Sequence, residues 1–367
     1  MRIVILGTRG FPNVQGGVEK HCECLSVNLV KLGCEVIVFT RKPYVDKSLK
    51  EYKGVTLVVL PAFRNKSLEA FLHTFIGVFF ALRYRPDILH IQAIGPAFFT
   101  PLARTLGMKV IVTSHGSNYK HLKWGRFAKA VLRLSEFLGV VFSNDVIAIS
   151  DIIAGEILRN YGRKATVIYN GVTMPETLKS EESLKNFGLE KGKYLLAVGR
   201  FVPEKGFGEL IEAFNSSLGW KLVIAGDADH QDEYSRRLKE LAKKKPGVVL
   251  TGFLSGQTLH ELYSHAGLFV LPSYYEGLPI SLLEAMSYGL SCLASDIPAN
   301  RNVGLTDDRF FKAGDIYRLR EKIIYFMDKP LNEGERAAQI TIITEKYNWE
   351  KIAKQTLELY RRTLYKK

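Results

Sequence analysis

The sequence has no long apolar run. Its longest, Phe75 to Leu82, is eight residues, far short of the ~20 that cross a bilayer as a helix. Cysteine is scarce: Cys22, Cys24, Cys34 and Cys292 are the only four. Their spacing suits neither a metal site nor a disulfide framework, and reduced thiols in a cytoplasmic protein are the expectation. Met1 leads straight into the strand-like Arg2–Leu6, so a secretory signal is not expected. There are no internal repeats and no low-complexity tract. The glycines form no G-x-G-x-x-G, so the dinucleotide fingerprint is absent. No nucleic-acid-binding module is recognisable, which disfavours a nucleic-acid partner. No cluster of Asp and Glu suggests a catalytic metal, and no metal or cofactor is expected. Acid is missing altogether between Asp87 and Glu136.

What is present is an ordinary globular composition, 47% apolar and 24% charged, in a chain long enough for two cores. The net charge of +14 is unevenly spread. Residues 1–175 carry 23 Lys and Arg against 11 Asp and Glu, whereas the remainder is close to balance. A one-sided positive field points to an anionic partner: a membrane surface, a nucleic acid or an acidic substrate.

Residues 2–6 are apolar throughout and read as a buried parallel strand. A loop, Gly7 to Gly17, leads into a helix with Cys22, Leu25, Leu29 and Leu32 on one face, ending at Gly33, and Glu35–Thr40 is the next strand. This βαβ opening begins a doubly wound α/β domain. Gly16 and Gly17 either let a ligand approach the backbone or serve a turn that needs glycine. Further strands follow at 55–60, 87–92 and 109–113. A helix capped by Ser67 runs to about Tyr84, apolar around most of its circumference and so expected to be buried, the alternative being an exposed helix that touches a membrane. His115 follows the strand 109–113, at a carboxyl end where open α/β sheets bind ligands. Residues 123–138 form an amphipathic pattern. Trp124, Phe127, Val131, Leu134 and Leu138 make the apolar stripe, and Lys123, Arg126, Lys129 and Arg133 lie on the other side. Such a helix either rests on an anionic membrane or packs on the sheet with a solvated basic face.

The chain turns polar from Pro175 to Lys193, with Glu176, Lys179, Glu181, Glu182 and Lys185. The organisation expected is an amino-terminal domain at 1–172, a linker at 173–192, a second α/β domain at 193–345 and a closing helix at 346–367. In the second domain a strand ends at Gly199, and its loop holds Arg200 and Lys205. They suit a diphosphate, arginine as a fork and lysine as a point charge. Another strand ends in Gly226-Asp227, and a third in Gly252-Phe253. The stretch 272–302 then places Glu276 and Glu284 eight residues apart, around a turn between a strand and a helix. The amides of Gly277, Leu278 and Ile280 are expected to open that helix as a phosphate site. Carboxylates on either side would suit a nucleotide-sugar. The alternative is a buried strand–turn–helix with two solvated glutamates.

Together these residues resemble the retaining glycosyltransferases of family 4. The resemblance covers nearly the whole chain. Its strongest elements are E-G-L-P-x-S-L-L-E-A-M-x-x-G at Glu276–Gly289 and G-R-F-x-P-E-K-G at Gly199–Gly206. Gly16-Gly17, His115-Gly116 and Asn170-Gly171-Val172 also match. The resemblance implies the GT-B fold, two Rossmann-like doubly wound domains facing across a cleft, with the last helix crossing back to the first. It implies that Arg200 and Lys205 neutralise the departing diphosphate, and that Glu284 holds the ribose. Glu276 would contact the sugar near its C3 and C4 hydroxyls, and Gly277 and Leu278 would offer amides. Gly16 and Gly17 would let the first domain close over the donor, and His115 would bond the sugar near the reacting carbon. Gly226, Asp227 and Phe253 would lie near the base. The opening Gly7–Pro12 is less typical of the family, so no role passes to Arg9.

The reaction so implied is metal-independent transfer from a nucleotide-sugar (UDP-, GDP- or ADP-linked) to a glycan or lipid-linked glycan acceptor. It would serve surface-polysaccharide assembly, in a cytoplasmic protein held peripherally on an anionic membrane through Lys123, Arg126, Lys129 and Arg133. The competing readings are a GT-B-type sugar-nucleotide epimerase and a non-catalytic nucleotide-sugar-binding protein.

Overall fold

A computed structural model describes residues 1–62, 69–116, 125–175, 178, 180–229 and 231–365. The proposed cap Ser67, and Lys123, Trp124, Glu176 and Lys179, lie outside the described residues. The chain divides into two compact units, Met1–Gly171 with Trp349–Lys367, and Val172–Asn348.

The first unit begins β1 (Arg2–Leu6), α1 (Gly17–Lys31), β2 (Glu35–Arg41), β3 (Glu51–Tyr52) and β4 (Val55–Leu60). It continues α2 (Glu69–Tyr84), β5 (Ile88–Gln92), α3 (Thr100–Thr105) and β6 (Val110–Ser114). It then adds α4 (Arg126–Phe142), β7 (Asp145–Ala148), α5 (Asp151–Tyr161) and β8 (Thr166–Val167). The eight strands lie in the order β3-β4-β2-β1-β5-β6-β7-β8. All neighbours run parallel except β3 and β4. Continuous Val/Ile/Leu runs such as Ile3–Leu6 and Val110–Val112 are fully buried, as strands covered on both faces require. The order reverses between β1 and β5, and ligands of open α/β sheets bind at the carboxyl ends of such a pair.

The second unit contains α6 (Glu182–Asn186), β9 (Tyr194–Val198), α7 (Phe207–Ala213), β10 (Lys221–Ala225), α8 (Glu233–Lys244) and β11 (Val248–Gly252). After them come α9 (Gly256–His265), β12 (Leu268–Leu271), α10 (Ile280–Ser287), β13 (Cys292–Ser295) and α11 (Pro298–Arg301). The unit closes with β14 (Phe310–Phe311), α12 (Ile316–Met327) and α13 (Glu333–Lys346). Its all-parallel sheet has the order β11-β10-β9-β12-β13-β14, reversing between β9 and β12. Within 173–192, α6 is anchored rather than free: the Ser183 amide donates to Glu261 Oε2 at 2.8 Å. The last helix, α14 (Trp349–Tyr365), joins the first unit. It packs on α1 through Trp349, Ile352, Ala353, Leu357 and Tyr360, all buried.

In two helices the structure decides which face turns inward. The helix read as buried, α2, turns Phe75, Phe79, Phe80 and Leu82 outward and buries Glu69, His73, Thr74, Gly77, Val78 and Ala81. In α4 the inward residues are Ser135, Glu136, Gly139 and Val140. Phe127, 84% exposed, with Leu134, Phe137 and Val141, forms the outward stripe beside exposed Arg126 and Arg133. Small and hydrogen-bonded residues win the inner face because α4 packs closely on the turn Pro96–Phe99 and α2 on the sheet, where a side chain at Gly77 would meet Leu6 at 2.5 Å. A side chain at Gly139 would meet the Ala97 Cβ at 2.5 Å. Buried Glu136 is satisfied by the Tyr161 hydroxyl at 2.7 Å, and Glu69 by Arg41 at 3.2 Å.

Candidate functional site

In the second unit the site grows from four strand ends. After β9 the chain makes Gly199-Arg200-Phe201-Val202, a 3-10 turn at Pro203–Lys205, and α7. After β12 it runs Pro272 to Pro279 into α10. The loops are tied together, because the Tyr274 amide donates to the Glu204 carbonyl at 2.8 Å. Lys205 Nζ is thereby brought to 2.6 Å from Glu276 Oε1, where Ser273 Oγ also donates at 2.6 Å. The pair is shielded, its side chains being 19% and 10% exposed. Arg200, on the same loop, pairs with Asp229 at 2.9 Å.

The amides at the start of α10 correct the sequence reading in one place. The Ile280 N–H is not free; it donates to the Leu278 carbonyl at 2.9 Å. Pro279 at φ −80°, ψ 74° makes the tight three-residue turn that closes this bond. Gly277 and Leu278 keep N–H groups with no acceptor among the described residues. Glu284 follows in the second turn of the helix and accepts from the Tyr263 hydroxyl at 3.2 Å. Burial, then the Glu284 carboxylate, pushes the Tyr263 phenol far up, so it stays a donor. Tyr263 stacks on Tyr288, with centroids 5.3 Å apart.

Gly226 follows β10 at φ 145°, where a Cβ would lie 1.9 Å from the Gly199 carbonyl oxygen. Only glycine lets these strand ends close together. Asp227 accepts from Lys239 Nζ at 2.8 Å, and Phe253, just beyond β11, is 42% exposed. Arg200, Lys205, Gly226, Asp227, Phe253, Glu276, Gly277, Leu278 and Glu284 therefore share the strand-end face of one unit.

Gly16, Gly17 and His115 belong to the first unit, at the carboxyl ends of β1 and β6. Gly16, at φ 146°, sits over an ion pair: a Cβ would be 2.1 Å from Glu19 Oε2 and 2.7 Å from Arg9 Nη2. Arg9 Nε donates to Glu19 Oε1 at 3.0 Å, and its Nη2 to the Gln15 carbonyl. Burial would raise the Glu19 carboxyl, but the Arg9 guanidinium outweighs it and holds that pKa below the usual range. Arg9, which the sequence left without a role, shapes the glycine loop. His115 Nε2 lies 2.8 Å from Gln92 Oε1, and its ring meets His21 edge-on at 5.0 Å. Burial, then His90, lowers its pKa to about 3, so the imidazole is neutral at physiological pH.

Two family descriptions match this chain in succession: Glycosyltransferase Family 4 over residues 15–174 and Glycosyl transferases group 1 over 179–356. The chain belongs to glycosyltransferase family 4. An uncharacterized glycosyltransferase of Methanocaldococcus jannaschii is 28% identical over 98% of both chains. Among solved structures, sucrose-phosphate synthase of Thermosynechococcus elongatus superposes with a TM-score of 0.85 at 20% identity, covering 98% of each chain. Anabaena HepE, solved with UDP and glucose, gives 0.80 at 18% identity, covering 99% of this chain and all of that one. These neighbours are GT-B glycosyltransferases, and the two parallel-sheet α/β units are that fold.

The glycosyltransferase also carries supporting residues that the sequence did not reveal. Ser273 was visible only as a hydroxyl three positions before Glu276. Asp229 and Tyr263 lie on other elements from the groups they hold, and no spacing connects them. Gln92 sits one strand away from His115, in the alternating position of a buried strand, where glutamine is an unusual occupant.

Proposed function

We propose that this glycosyltransferase moves a sugar from a nucleotide-sugar to a glycan or lipid-linked glycan acceptor, with retention of anomeric configuration and without a metal ion, in cell-surface polysaccharide assembly. One observation carries the reading: Lys205, paired with Glu276, shares its loop with Arg200 and adjoins the open amides of Gly277 and Leu278. Glycosyl transfer leaves a diphosphate of growing negative charge beside a sugar of oxocarbenium character. Fixed cations and a helix amino terminus stabilise that charge where it develops. Glu276, already held by Lys205 and Ser273, is oriented to accept from sugar hydroxyls, and Glu284 to accept from the ribose. No side chain is assigned as a nucleophile. The reading is front-face attack, with the leaving phosphate taking the acceptor's proton. The HepE structure holds UDP and glucose, which makes a uridine donor the first to try.

The test incubates the enzyme with UDP-, GDP- and ADP-sugars, with and without lipid-linked acceptors, and reads the product by NMR. A product with the donor's anomeric configuration, formed equally in EDTA, is expected. Inversion, a requirement for metal, a trapped and competent adduct on Glu276, or epimerised sugar formed without acceptor would each overturn the reading.

The outward apolar stripe of α4, flanked by Arg126 and Arg133, supports peripheral attachment to an anionic membrane. Among the described residues no helix is long and apolar enough to cross one. Flotation with phosphatidylglycerol vesicles is expected to carry the wild type. The variant Lys123→Glu/Arg126→Glu/Lys129→Glu/Arg133→Glu is expected to stay behind. Equal behaviour of the two would end the membrane reading.

A further inference from the structure

The side chains behind His115 form a chain of contacts that ends on the last helix. His90, on β5, is fully buried. Both its ring nitrogens are engaged: Nδ1 lies 2.6 Å from the Tyr360 hydroxyl of α14, and Nε2 lies 2.6 Å from Thr113 Oγ1. Gln92, two residues along the strand, places its amide nitrogen 3.3 and 3.2 Å from those same two nitrogens. A group nearly equidistant from both nitrogens lies against the ring face rather than in its plane. The face of a neutral imidazole is electron-rich and favours the N–H₂ end of the amide over its oxygen. The His90 ring is kept neutral, since burial and then His21 lower its pKa to about 3. That fixes which way Gln92 points, with its carbonyl oxygen on His115 Nε2 at 2.8 Å. A carbonyl oxygen only accepts, so Nε2 carries the proton and Nδ1 is left as a bare lone pair. Nδ1 has no partner among the described residues, and the ring is half-buried rather than enclosed.

We propose that Gln92, braced by His90 and by Tyr360 of α14, is a positioning residue that locks His115 as the Nε2–H tautomer, so that His115 selects a donor sugar able to donate a hydroxyl hydrogen to Nδ1. The inference rests on the assignment of His115 to the donor sugar. It adds a direction to that contact: a hydroxyl is accepted there, whereas a deoxy, fluoro or methoxy carbon, or a carboxylate, is refused. It also gives α14 a part in specificity, because the hydroxyl at one end of the chain of contacts belongs to that helix.

The test is nitrogen-15 NMR of the histidine side chains in the ligand-free protein, which reads the tautomer without any reaction. His115 is expected to show a proton-bearing Nε2 and a bare Nδ1. Gln92→Leu is expected to bring its two nitrogen shifts together, as tautomers exchange, while Gln92→Glu keeps the Nε2 proton. Tyr360→Phe is expected to shift the His90 signals and to loosen those of His115. In parallel, the nucleotide-sugar that stabilises the wild type most, from a panel led by UDP-glucose, is compared with its monodeoxy and monofluoro forms. One position should lose about tenfold in affinity, the size expected for one hydrogen bond, and Gln92→Leu should abolish that difference. A proton on Nδ1, averaged shifts in the wild type, or discrimination unchanged in Gln92→Leu would overturn the proposal. A correct tautomer without sugar discrimination would refute the contact, while transfer activity reports separately on the proposed reaction.

Discussion

Lys205 and Glu276 stand 2.6 Å apart in surroundings that shield both, so neither is independent of the other. Removing one partner of a shielded pair leaves a charge uncompensated and costs more than the contact itself supplies. Lys205→Gln and Glu276→Gln are each expected to lower kcat by about 10² to 10³, read by initial rates at saturating donor. The double variant is expected to lose little beyond the worse single one, because the two act as a unit. Arg200→Gln, whose partner Asp229 is more open, should fall mainly in kcat/KM for donor. The placement of Arg200, Lys205, Glu276 and Glu284 on one strand-end face was legible because three of them stand in loops just after strands and the fourth in the helix that follows one. Ser273, Tyr263 and Gln92 were not, since hydroxyls and amides are common and only the third dimension shows what they hold.

At the scale of elements, the helix endings and strand ends were legible from glycine and apolar periodicity, but the faces of α2 and α4 were not. Periodicity reports which residues share a side of a helix; it does not report which side faces the sheet. Gly139 against Ala97 and the Glu136–Tyr161 bond reverse the usual choice. The loop from Gly7 to Gly17 shows a related limit, for Arg9 and Glu19 are ten residues apart yet hold one another at 3.0 Å, with side chains 14% and 8% exposed. Glu19→Gln is expected to destabilise the protein by about 3 kcal/mol, measured by urea unfolding. Ile352→Ala in α14, where the side chain is fully packed against α1, is expected to cost about 3 kcal/mol by leaving a cavity. A native midpoint in either variant would remove these contacts from the account.

For the molecule as a whole, the first unit holds four histidines in neutral form, three of them buried and His115 half-buried. His73, His90 and His115 have pKa values lowered to about 3, and His21 is pushed down by burial and then by His115. Above pH 6.5 both folded and unfolded states carry them neutral, and nothing is lost. Below it the unfolded chain takes up protons that the folded one refuses, so stability falls as pH drops from about 6.5 towards 3. The slope is up to about 1.4 kcal/mol per pH unit for each histidine. Denaturant midpoints across that range should fall steadily, and a flat profile would contradict the burial. The central claim, that this face of the second unit grips a diphosphate, is most directly tested by calorimetric titration with UDP, GDP and ADP. One of the three should bind the wild type, and Arg200→Gln and Lys205→Gln should each weaken it by at least about tenfold, as loss of a charge-assisted hydrogen bond requires. Unchanged affinity in both variants, or no binding of any of the three, would contradict it.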